Sequence, residues 1–525
     1  MTRPVLLVNP RICSPRSARL PLSLLSLAAV LEGRTPYRIV DGNLDPGAEG
    51  TLLSALEREP HALVALTVMP GPQVGPAIAL SRAVKERHPS VPVAWGGYFP
   101  TLYAASAINA PYVDFVVRGP GEETLPELLG ALGSAGPPDP LSSAADSSAL
   151  RGIEGLTYKD SGSVVHAPDR RWRSPDDFPP YPLEKLGEVS RWLQPTLLGR
   201  RTGVHQGAIG CRYRCGFCGV VSMFDGKTVL SGPARLAAAV RTLRDRWGAD
   251  AVQFYDNNFF DREESSVPML DALASVGAGP GARPGAGPLP YWCYARPDTL
   301  AGFSAKTWTL LGRSGLRMAF LGAEAASDDV LRSMHKGSRV EHTLETARRC
   351  REIGVIPEFS FVLGGPEDPE GEVEKTLSFI RRLKGIHPAC EIVLYFWTPT
   401  PRRSPEALRA ATPLSVPPVR SASGAESLDL PSTPEEWTEK RWVDFVCHRD
   451  APWLSARVRR RVNDFGTVLG CRFPTAQDVK TPRWGKAALS ALASWRWATK
   501  AYSRPFELSL ARRAIPLKKP GAEGL

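Results

Sequence analysis

The sequence predicts an α/β protein with a doubly wound N-terminal domain, a partial (βα)6 barrel and a mostly helical C-terminal region. Short apolar runs alternate with amphipathic stretches over residues 5–130, and the same alternation resumes from 196 to 400. Such alternation favours parallel sheets that helices cover on both faces. The length of 525 residues agrees, because it exceeds one ordinary core and favours two or three domains.

Five apolar runs predict the strands of the first domain, which we place at residues 1–140. Ligands of a doubly wound sheet bind at the carboxyl ends of its strands, so the loops after these runs form the predicted binding site. A linker segment is expected over 141–195. The predicted strands are residues 5–8, 37–40, 62–66, 91–95 and 115–117.

Six further runs predict the barrel, which we place at residues 196–400. The active site of such a barrel lies at the carboxyl ends of its strands. The C-terminal region, residues 401–525, contains six tryptophans, which indicate a folded core. The predicted barrel strands are residues 203–207, 251–255, 291–294, 317–321, 358–363 and 392–396.

Composition excludes several classes of protein. Hydrophobic content of 43% and charged content of 23% are typical of a globular chain. No apolar run approaches the roughly 20 residues that span a bilayer, and the N-terminus lacks a signal-peptide pattern. We therefore expect a cytoplasmic protein without a transmembrane segment. The net charge of +11 is concentrated in the C-terminal region, which can attract nucleic acid, anionic lipid or an acidic substrate.

Three cysteines form the most informative motif of the chain. Cys211, Cys215 and Cys218 follow a predicted strand with the spacing C-x3-C-x2-C, whereas the other six cysteines are scattered. Thiolates bind iron–sulfur clusters and zinc. A structural zinc site needs a fourth Cys or His, usually from a second paired motif, and no second cysteine pair exists. Three thiolates fit a four-iron cluster with one open iron; zinc and chance clustering are the alternatives.

This motif, with Phe217 before its last cysteine, resembles the signature of the radical S-adenosylmethionine (SAM) superfamily. The resemblance implies a [4Fe–4S] cluster on the three cysteines, with SAM chelated by the open iron. Downstream strand ends resemble the segments that contact SAM in this family. The residues that the resemblance assigns to SAM are Phe217, Asp256, Asn258, Arg296, Glu324 and Gly364.

The first domain resembles the Rossmann-like cobalamin-binding (B12-binding) domain that is fused to one branch of these enzymes. Glycines at strand ends let the backbone approach a bulky ligand. The family's Asp-x-His-x-x-Gly motif is missing, and residues 9–13 contain no histidine that could ligate cobalt. The residues assigned to cobalamin are Thr67, Gly96, Gly97, Tyr98, Gly119 and Glu122.

The resemblance implies a methyltransferase that acts on an unactivated carbon of a small metabolite, a peptide or a lipid. Such enzymes use a 5′-deoxyadenosyl radical and methylcobalamin. A cyclase or rearrangement enzyme, similar to the anaerobic magnesium-protoporphyrin ester cyclase branch, is the alternative. A methylthiotransferase is disfavoured, because Cys13 is the only cysteine of the first domain. A zinc-containing nucleic-acid-binding protein is the remote alternative.

The same resemblance implies partners. We expect an external electron donor such as flavodoxin or ferredoxin, and no nucleic acid. The aromatic and basic residues Trp495, Trp497, Lys500 and Arg504 suggest peripheral contact with a membrane.

Overall fold

The computed structural model describes residues 3–134, 147–277, 287–365, 367–400, 419–421, 424–426, 429–451 and 453–518. Two parallel sheets with helices on their faces are followed by a mostly helical region. The predicted fold class is thereby confirmed.

The first domain is a doubly wound sheet with an added antiparallel edge. Its elements are β1 (Val5–Asn9), α1 (Leu22–Leu31), β2 (Tyr37–Asp41), α2 (Ala48–Arg58), β3 (Leu63–Thr67), α3 (Val74–Arg87), β4 (Val93–Gly96), α4 (Tyr98–Leu102), α5 (Ala104–Asn109), β5 (Phe115–Val117), α6 (Gly121–Ser134), α7 (Ser147–Arg151), β6 (Leu156–Asp160) and β7 (Ser163–His166). The strand order is β2-β1-β3-β4-β5-β6-β7, and the first five strands are parallel. The order 2-1-3-4-5 has its switch point between β1 and β3, which is where such sheets bind ligands.

The first five strands lie where the apolar runs predict them. Strand β1 shows why: Leu6 and Val8 pack into one core cluster, while Val5 and Leu7 pack into the cluster on the opposite face. A strand that is buried on both faces is a continuous apolar run. Such runs are visible in the sequence without any knowledge of their neighbours.

The segment 141–195 differs from the predicted linker. Its strands β6 and β7 form an antiparallel hairpin that extends the first sheet beyond β5. Ser161 and Gly162 connect them with φ angles of 50° and 85°, as a tight hairpin turn requires. Leu156 and Tyr158 are buried on the sheet. The hairpin was missed because antiparallel strands interrupt the alternation of strands and helices on which the prediction depends.

The second domain is an open six-stranded barrel. Its elements are β8 (Thr202–His205), β9 (Ala208–Gly210), α8 (Gly219–Phe224), β10 (Thr228–Leu230), α9 (Pro233–Asp245), β11 (Ala251–Phe254), α10 (Glu263–Val276), β12 (Tyr291–Ala295), α11 (Pro297–Ala301), α12 (Ala305–Ser314), β13 (Leu316–Glu324), α13 (Asp328–Ser333), α14 (Val340–Glu352), β14 (Ile356–Leu363), α15 (Pro369–Ile386) and β15 (Glu391–Phe396). The strand order is β15-β14-β13-β12-β11-β8, with all neighbours parallel. All carboxyl ends therefore meet at one rim.

The C-terminal region packs against both domains. It contains β16 (Val419–Ser421), β17 (Gly424–Glu426), α16 (Lys440–Val446), α17 (Ala456–Arg472), α18 (Arg483–Thr499) and α19 (Phe506–Ala514). Trp437 and Trp442 join the core of the first domain, where the ring centroid of Trp437 lies 4.2 Å from that of Tyr103. Phe465 and Tyr502 join the barrel core. The region thus holds the two domains against each other.

In the part of the chain that the structure describes, we find no helix with the length and apolar character to cross a membrane.

Candidate active site

A cavity of about 1760 Å³ lies where the strand ends of the two domains meet. Its walls include the loops after β1, β3, β4 and β5, and those after β8, β11 and β15. Pockets for a single small ligand are typically about 300–1,000 Å³. The cavity therefore has room for more than one ligand.

The cysteine loop begins directly after β9 and ends at α8, whose first residue follows Cys218. Gly210 precedes the loop with φ +78°, a conformation that suits glycine. The backbone N–H of Gly216 donates to the carbonyl of Met334 at 2.7 Å, and that of Cys218 donates to the carbonyl of Cys215 at 3.3 Å. The first bond ties the loop to the segment after α13, and the second closes a turn within the loop.

Side chains that follow β11 bind the backbone just before the cysteine loop. Asp256 Oδ1 accepts from the backbone N–H groups of Gly207, at 2.8 Å, and Ala208. Asn257 Oδ1 accepts from the N–H of Gly210 at 3.0 Å. Burial raises the pKa of Asp256 to about 8, and its buried Oδ2 has no hydrogen-bond partner among the residues that the structure describes. Asp256 therefore positions the loop with one oxygen and leaves the second oxygen for a ligand.

Arg296 contacts the loop itself. Its Nη1 donates to the Cys215 sulfur at 3.4 Å, and its guanidinium lies 3.5 Å from the ring centroid of Tyr213. A second nitrogen pairs with Asp298 at 3.0 Å and donates to the carbonyl of Lys336. The guanidinium thereby places a fixed positive charge beside the Cys215 sulfur.

Glu324 ends β13 in a strained conformation. Its φ is +64°, and the register between β13 and β14 shifts between Gly322 and Glu324. Its carboxylate accepts from Lys336 Nζ at 2.7 Å and from Ser360 Oγ at 3.2 Å. Lys336 Nζ also lies 5.8 Å from the ring centroid of Phe217. Backbone strain of this kind costs about 1–3 kcal/mol and is concentrated at functional sites.

Gly322 makes room for this ion pair. An added Cβ would overlap Glu324 Oε1 and would lie 2.5 Å from Lys336 Nζ. Any side chain at Gly322 must therefore displace the buried pair. Separating a buried ion pair leaves charges without partners and is strongly destabilising.

Cys215 is buried, and Cys211 and Cys218 are half-buried, beside the cationic groups of Arg296 and Lys336. Burial raises the pKa of Cys211, and it raises the pKa of Cys218 to about 12. The backbone N–H groups of Tyr213 and Val220 face these two sulfurs and act in the opposite direction. Thiols in this setting become thiolates when they bind a metal, and such N–H donors tune iron–sulfur clusters.

The arrangement suits a cluster. Within the described ranges, no three Cys, His, Asp or Glu side chains converge tightly enough to hold a single metal ion. A [4Fe–4S] cluster is several atoms wide, so its thiolates attach at separate corners. One loop with three thiols, N–H donors and the neighbouring cations Arg296 and Lys336 fits such a cluster.

The residues predicted to bind cobalamin all line the cavity. Gly97 has φ +95°, and an added Cβ there would lie 3.0 Å from Thr67 Oγ1, so a side chain would obstruct this wall. Ser23 Oγ of α1 donates to Thr67 Oγ1 at 3.2 Å. Burial raises the pKa of Glu122. These lining residues are Thr67, Gly96, Gly97, Tyr98, Gly119 and Glu122.

Tyr98 links the two halves of the site. It begins α4, and its hydroxyl approaches Gly219 so closely that a Cβ on Gly219 would overlap it. Gly219 is the residue after Cys218. Burial raises the pKa of Tyr98, so its hydroxyl stays neutral. The first domain therefore reaches the cysteine loop through one tyrosine.

The predicted SAM residues divide into two groups. Phe217, Asp256 and Glu324 line the cavity, as does Cys218. The cavity wall does not include Asn258, Arg296 or Gly364.

Two of the residues outside the wall have other contacts. Asn258 Nδ2 donates to the carbonyl of Phe260 at 2.9 Å. An added Cβ on Gly364 would lie 2.5 Å from Leu454 Cδ2. Gly364 thus makes room for the C-terminal region.

Sequence reasoning missed two histidines of the cavity wall, His205 and His448. Burial lowers the pKa of His205, at the end of β8, to about 4. Burial also lowers the pKa of His448, whose Nδ1 lies 2.6 Å from Thr398 Oγ1. His205 lies within the predicted strand 203–207, and the strand ends at this histidine, two residues earlier than predicted. His448 comes from the C-terminal region, and no pattern connects it with the barrel.

Two family models match the chain. The model of the Radical SAM superfamily matches residues 208–380, and that of the B12 binding domain matches residues 17–129. The predicted resemblance to radical SAM enzymes with a cobalamin-binding domain is therefore confirmed.

Known proteins resemble most of the chain. An uncharacterized methyltransferase of Pyrococcus horikoshii is 23% identical over 364 residues, which cover 69% of this chain and 73% of that protein. An anaerobic magnesium-protoporphyrin IX monomethyl ester cyclase of Synechocystis sp. is 21% identical over 353 residues, which cover 65% and 64%.

Solved structures share the fold. The radical SAM methyltransferase TsrM from Kitasatospora setae, with cobalamin and a [4Fe-4S] cluster bound, has a TM-score of 0.61 at 19% identity, covering 98% of this chain and 100% of that chain. OxsB, with aqua-cobalamin and SAM bound, has a TM-score of 0.60 at 16% identity, covering 74% and 53%.

Replacing any cysteine of the loop should remove the cluster. Cys211→Ala, Cys215→Ala and Cys218→Ala should each lose iron and reductive SAM cleavage, because two thiolates leave the cluster under-ligated. Iron per protein after anaerobic reconstitution, together with 5′-deoxyadenosine, measures this. Cys471→Ala, at a buried thiol of α17, is the matched control and should keep both. A loop variant with full iron content and activity would rule the loop out.

Filling the space at Gly322 should weaken SAM binding. Gly322→Ala displaces the Glu324–Lys336 pair, and we expect a dissociation constant at least about tenfold higher, or ~1.4 kcal/mol. Equilibrium dialysis of SAM against reconstituted enzyme measures it. In the control Gly385→Ala, on α15, an added Cβ meets no atom within 4 Å. Unchanged SAM affinity in Gly322→Ala at normal iron content would remove Glu324 from the SAM site.

Proposed function

We propose that this chain, a radical SAM enzyme with a B12-binding domain, is a methyltransferase that acts on an unactivated carbon of a small molecule. One observation carries the proposal. The residues predicted to bind cobalamin and the cysteine loop line the same cavity, and Tyr98 reaches the residue after Cys218. A substrate in this cavity would face both cofactor sites.

The proposed reaction replaces a C–H bond of the substrate by a C–CH3 bond. When bound, the cluster with SAM supplies the 5′-deoxyadenosyl radical that takes the hydrogen atom, and cobalamin supplies the methyl group. One SAM yields 5′-deoxyadenosine and methionine, and a second SAM yields S-adenosylhomocysteine. The two sulfonium charges are balanced by two electrons, which an external donor such as flavodoxin or ferredoxin provides.

In the proposed enzyme, the residues of the barrel have distinct roles. Cys211, Cys215 and Cys218 hold the cluster, and Arg296 positions Cys215 through its hydrogen bond to the sulfur. The SAM site is formed by the side chains that line the cavity beside the loop. These are Phe217, Asp256 and Glu324. Asn258 and Gly364 support the surrounding backbone from outside the cavity wall.

The first domain holds cobalamin in this proposal. Gly96, Gly97 and Gly119 keep the strand ends free of side chains, and Thr67 and Glu122 offer polar atoms to the cofactor. The cavity also reaches α1, where Ser23 and Ser26 belong to its wall. The strand ends and α1 thereby form a cleft that suits a large ligand with an extended tail.

A cyclase or rearrangement enzyme is the second candidate function. Its support is the similarity to the magnesium-protoporphyrin ester cyclase of Synechocystis sp. over 65% of the chain. Both functions begin with the removal of a hydrogen atom. They differ in whether a methyl group is then transferred.

We further propose that the protein works in the cytoplasm and contacts a membrane peripherally. All nine cysteines lie among the described residues, and none is paired in a disulfide. Unpaired thiols are typical of a reducing compartment. The exposed aromatic and basic residues of the C-terminal helices support the membrane contact.

Product analysis should separate the two candidate functions. Reconstituted enzyme with cobalamin, reductant, SAM carrying a labelled methyl group and cell extract should yield 5′-deoxyadenosine and S-adenosylhomocysteine in equal amounts. The label should enter a small molecule of the extract. Cys215→Ala is the control and should yield neither product. Deoxyadenosine without S-adenosylhomocysteine or transferred label would instead identify the cyclase or rearrangement.

A side chain at Gly96 should block cobalamin. An added Cβ there meets Val117 only at 3.8 Å, so we expect Gly96→Leu to fold and to fill the cofactor cleft. Corrinoid absorbance after reconstitution and desalting should fall at least about tenfold. Gly50→Leu, on α2 where no atom lies within 4 Å of an added Cβ, should bind normally. Normal uptake by Gly96→Leu would place cobalamin elsewhere.

A further inference from the structure

The outer face of α18 is apolar from Trp484 to Ala498. Its buried face consists of Gly485, Leu489, Ala493 and Arg496, which leaves the opposite side to solvent. Every exposed residue between Trp484 and Ala498 is apolar. These exposed residues are Trp484, Ala487, Ala488, Ala491, Leu492, Trp495 and Ala498. A surface helix normally carries charged or polar residues on that side.

Helix α19 continues this surface. Arg496 Nη2 donates to Glu507 Oε2 at 2.9 Å, which joins the end of α18 to the start of α19. At the opposite end, an added Cβ on Gly485 would lie 3.0 Å from Ile515, the residue after α19. The two helices therefore form an antiparallel hairpin. Phe506 and Leu510 of α19 are 72% and 66% exposed.

Exposed apolar side chains are concentrated on this hairpin. Of the seven large hydrophobic residues that are exposed in the described part of the chain, six lie between residues 479 and 510. Trp484 is 70% exposed and Trp495 is 52% exposed. A contiguous apolar surface of this kind marks a site of interaction, whereas single exposed residues need no explanation.

Positive charge borders the apolar face at both ends. Residues 479–518 contain nine Lys or Arg and one acid, Glu507, which is paired with Arg496. Arg483 and Arg513 are exposed at one end of the hairpin, and Lys500 and Arg504 are exposed at the other. The centre of the face, from Ala487 to Leu492, is uncharged on its exposed side.

We propose that the outer face of the α18–α19 hairpin docks on the surface of an anionic lipid bilayer. Helices that lie in a membrane interface combine Trp, Phe and Leu on one face with flanking Lys and Arg, and they bind anionic lipid most strongly. Tryptophan is enriched at the level of the lipid headgroups. The hairpin lies flat, its aromatic rings enter the interface and its basic rims contact lipid phosphates.

Other occupants fit this face less well. A second copy on a two-fold axis would bring the same basic rims together, and like charges repel. Nucleic acid favours cations across the contact surface, whereas here they stand only at its ends. Trp497 does not belong to the docking face, since it packs against Phe465, Phe473 and Tyr502.

The inference deepens the proposed peripheral location and does not depend on methyl transfer. Flotation of the full-length holoenzyme with vesicles tests it. We expect binding to phosphatidylcholine vesicles that contain phosphatidylglycerol, weak binding to pure phosphatidylcholine, and loss of binding at high salt. The triple variant Trp484→Ser, Trp495→Ser, Phe506→Ser should bind at least about tenfold more weakly. Its iron content and SAM cleavage should be unchanged.

The control Val164→Ser removes an exposed apolar side chain from β7 of the first domain and should bind like the parent protein. Three outcomes would overturn the proposal: no binding to anionic vesicles, equal binding by the triple variant, or a dimer in solution that the triple variant abolishes. Binding is measured without turnover, so an enzyme that transfers no methyl group can still confirm the docking surface.

Discussion

The cysteine loop is held by side chains from strand ends that follow it in the chain. Asp256 and Asn257 accept hydrogen bonds from the backbone just before the loop, and Arg296 donates to the Cys215 sulfur. A cluster needs its thiolates at defined corners, and a loop alone does not hold three side chains in one geometry. The parallel barrel makes this geometry possible, because it brings the carboxyl ends of successive strands to one rim, where their side chains can bind the loop.

The second half of the site depends on contact between the domains. Tyr98 of the first domain lies against Gly219, so the wall of the proposed cobalamin site and the cysteine loop are neighbours. The C-terminal region strengthens this arrangement, since Trp437 packs into the first domain while Phe465 packs into the barrel. The shared cavity therefore results from three parts of the chain, and the proposed reaction needs all of them.

Sequence reasoning succeeded where one local pattern carries the structure. Buried parallel strands are continuous apolar runs, and the three cysteines stand within eight residues. The sequence does not show which residues contact a distant partner. Asn257 lines the cavity instead of Asn258, and Gly364 accommodates Leu454. Neighbouring residues at a strand end point in different directions, and only the folded loop decides which one faces the cavity.

The sequence by itself determined the alternation of strands and helices, the cysteine motif and the glycines at the strand ends, because each depends on residues that are close in the chain. Tertiary structure alone decided that the hairpin at 156–166 extends the first sheet, that His448 reaches the cavity, and that Trp497 is half-buried while Trp495 is exposed. These outcomes depend on which surfaces meet. Burial against a distant segment is a property of the packed chain, and no local pattern encodes it.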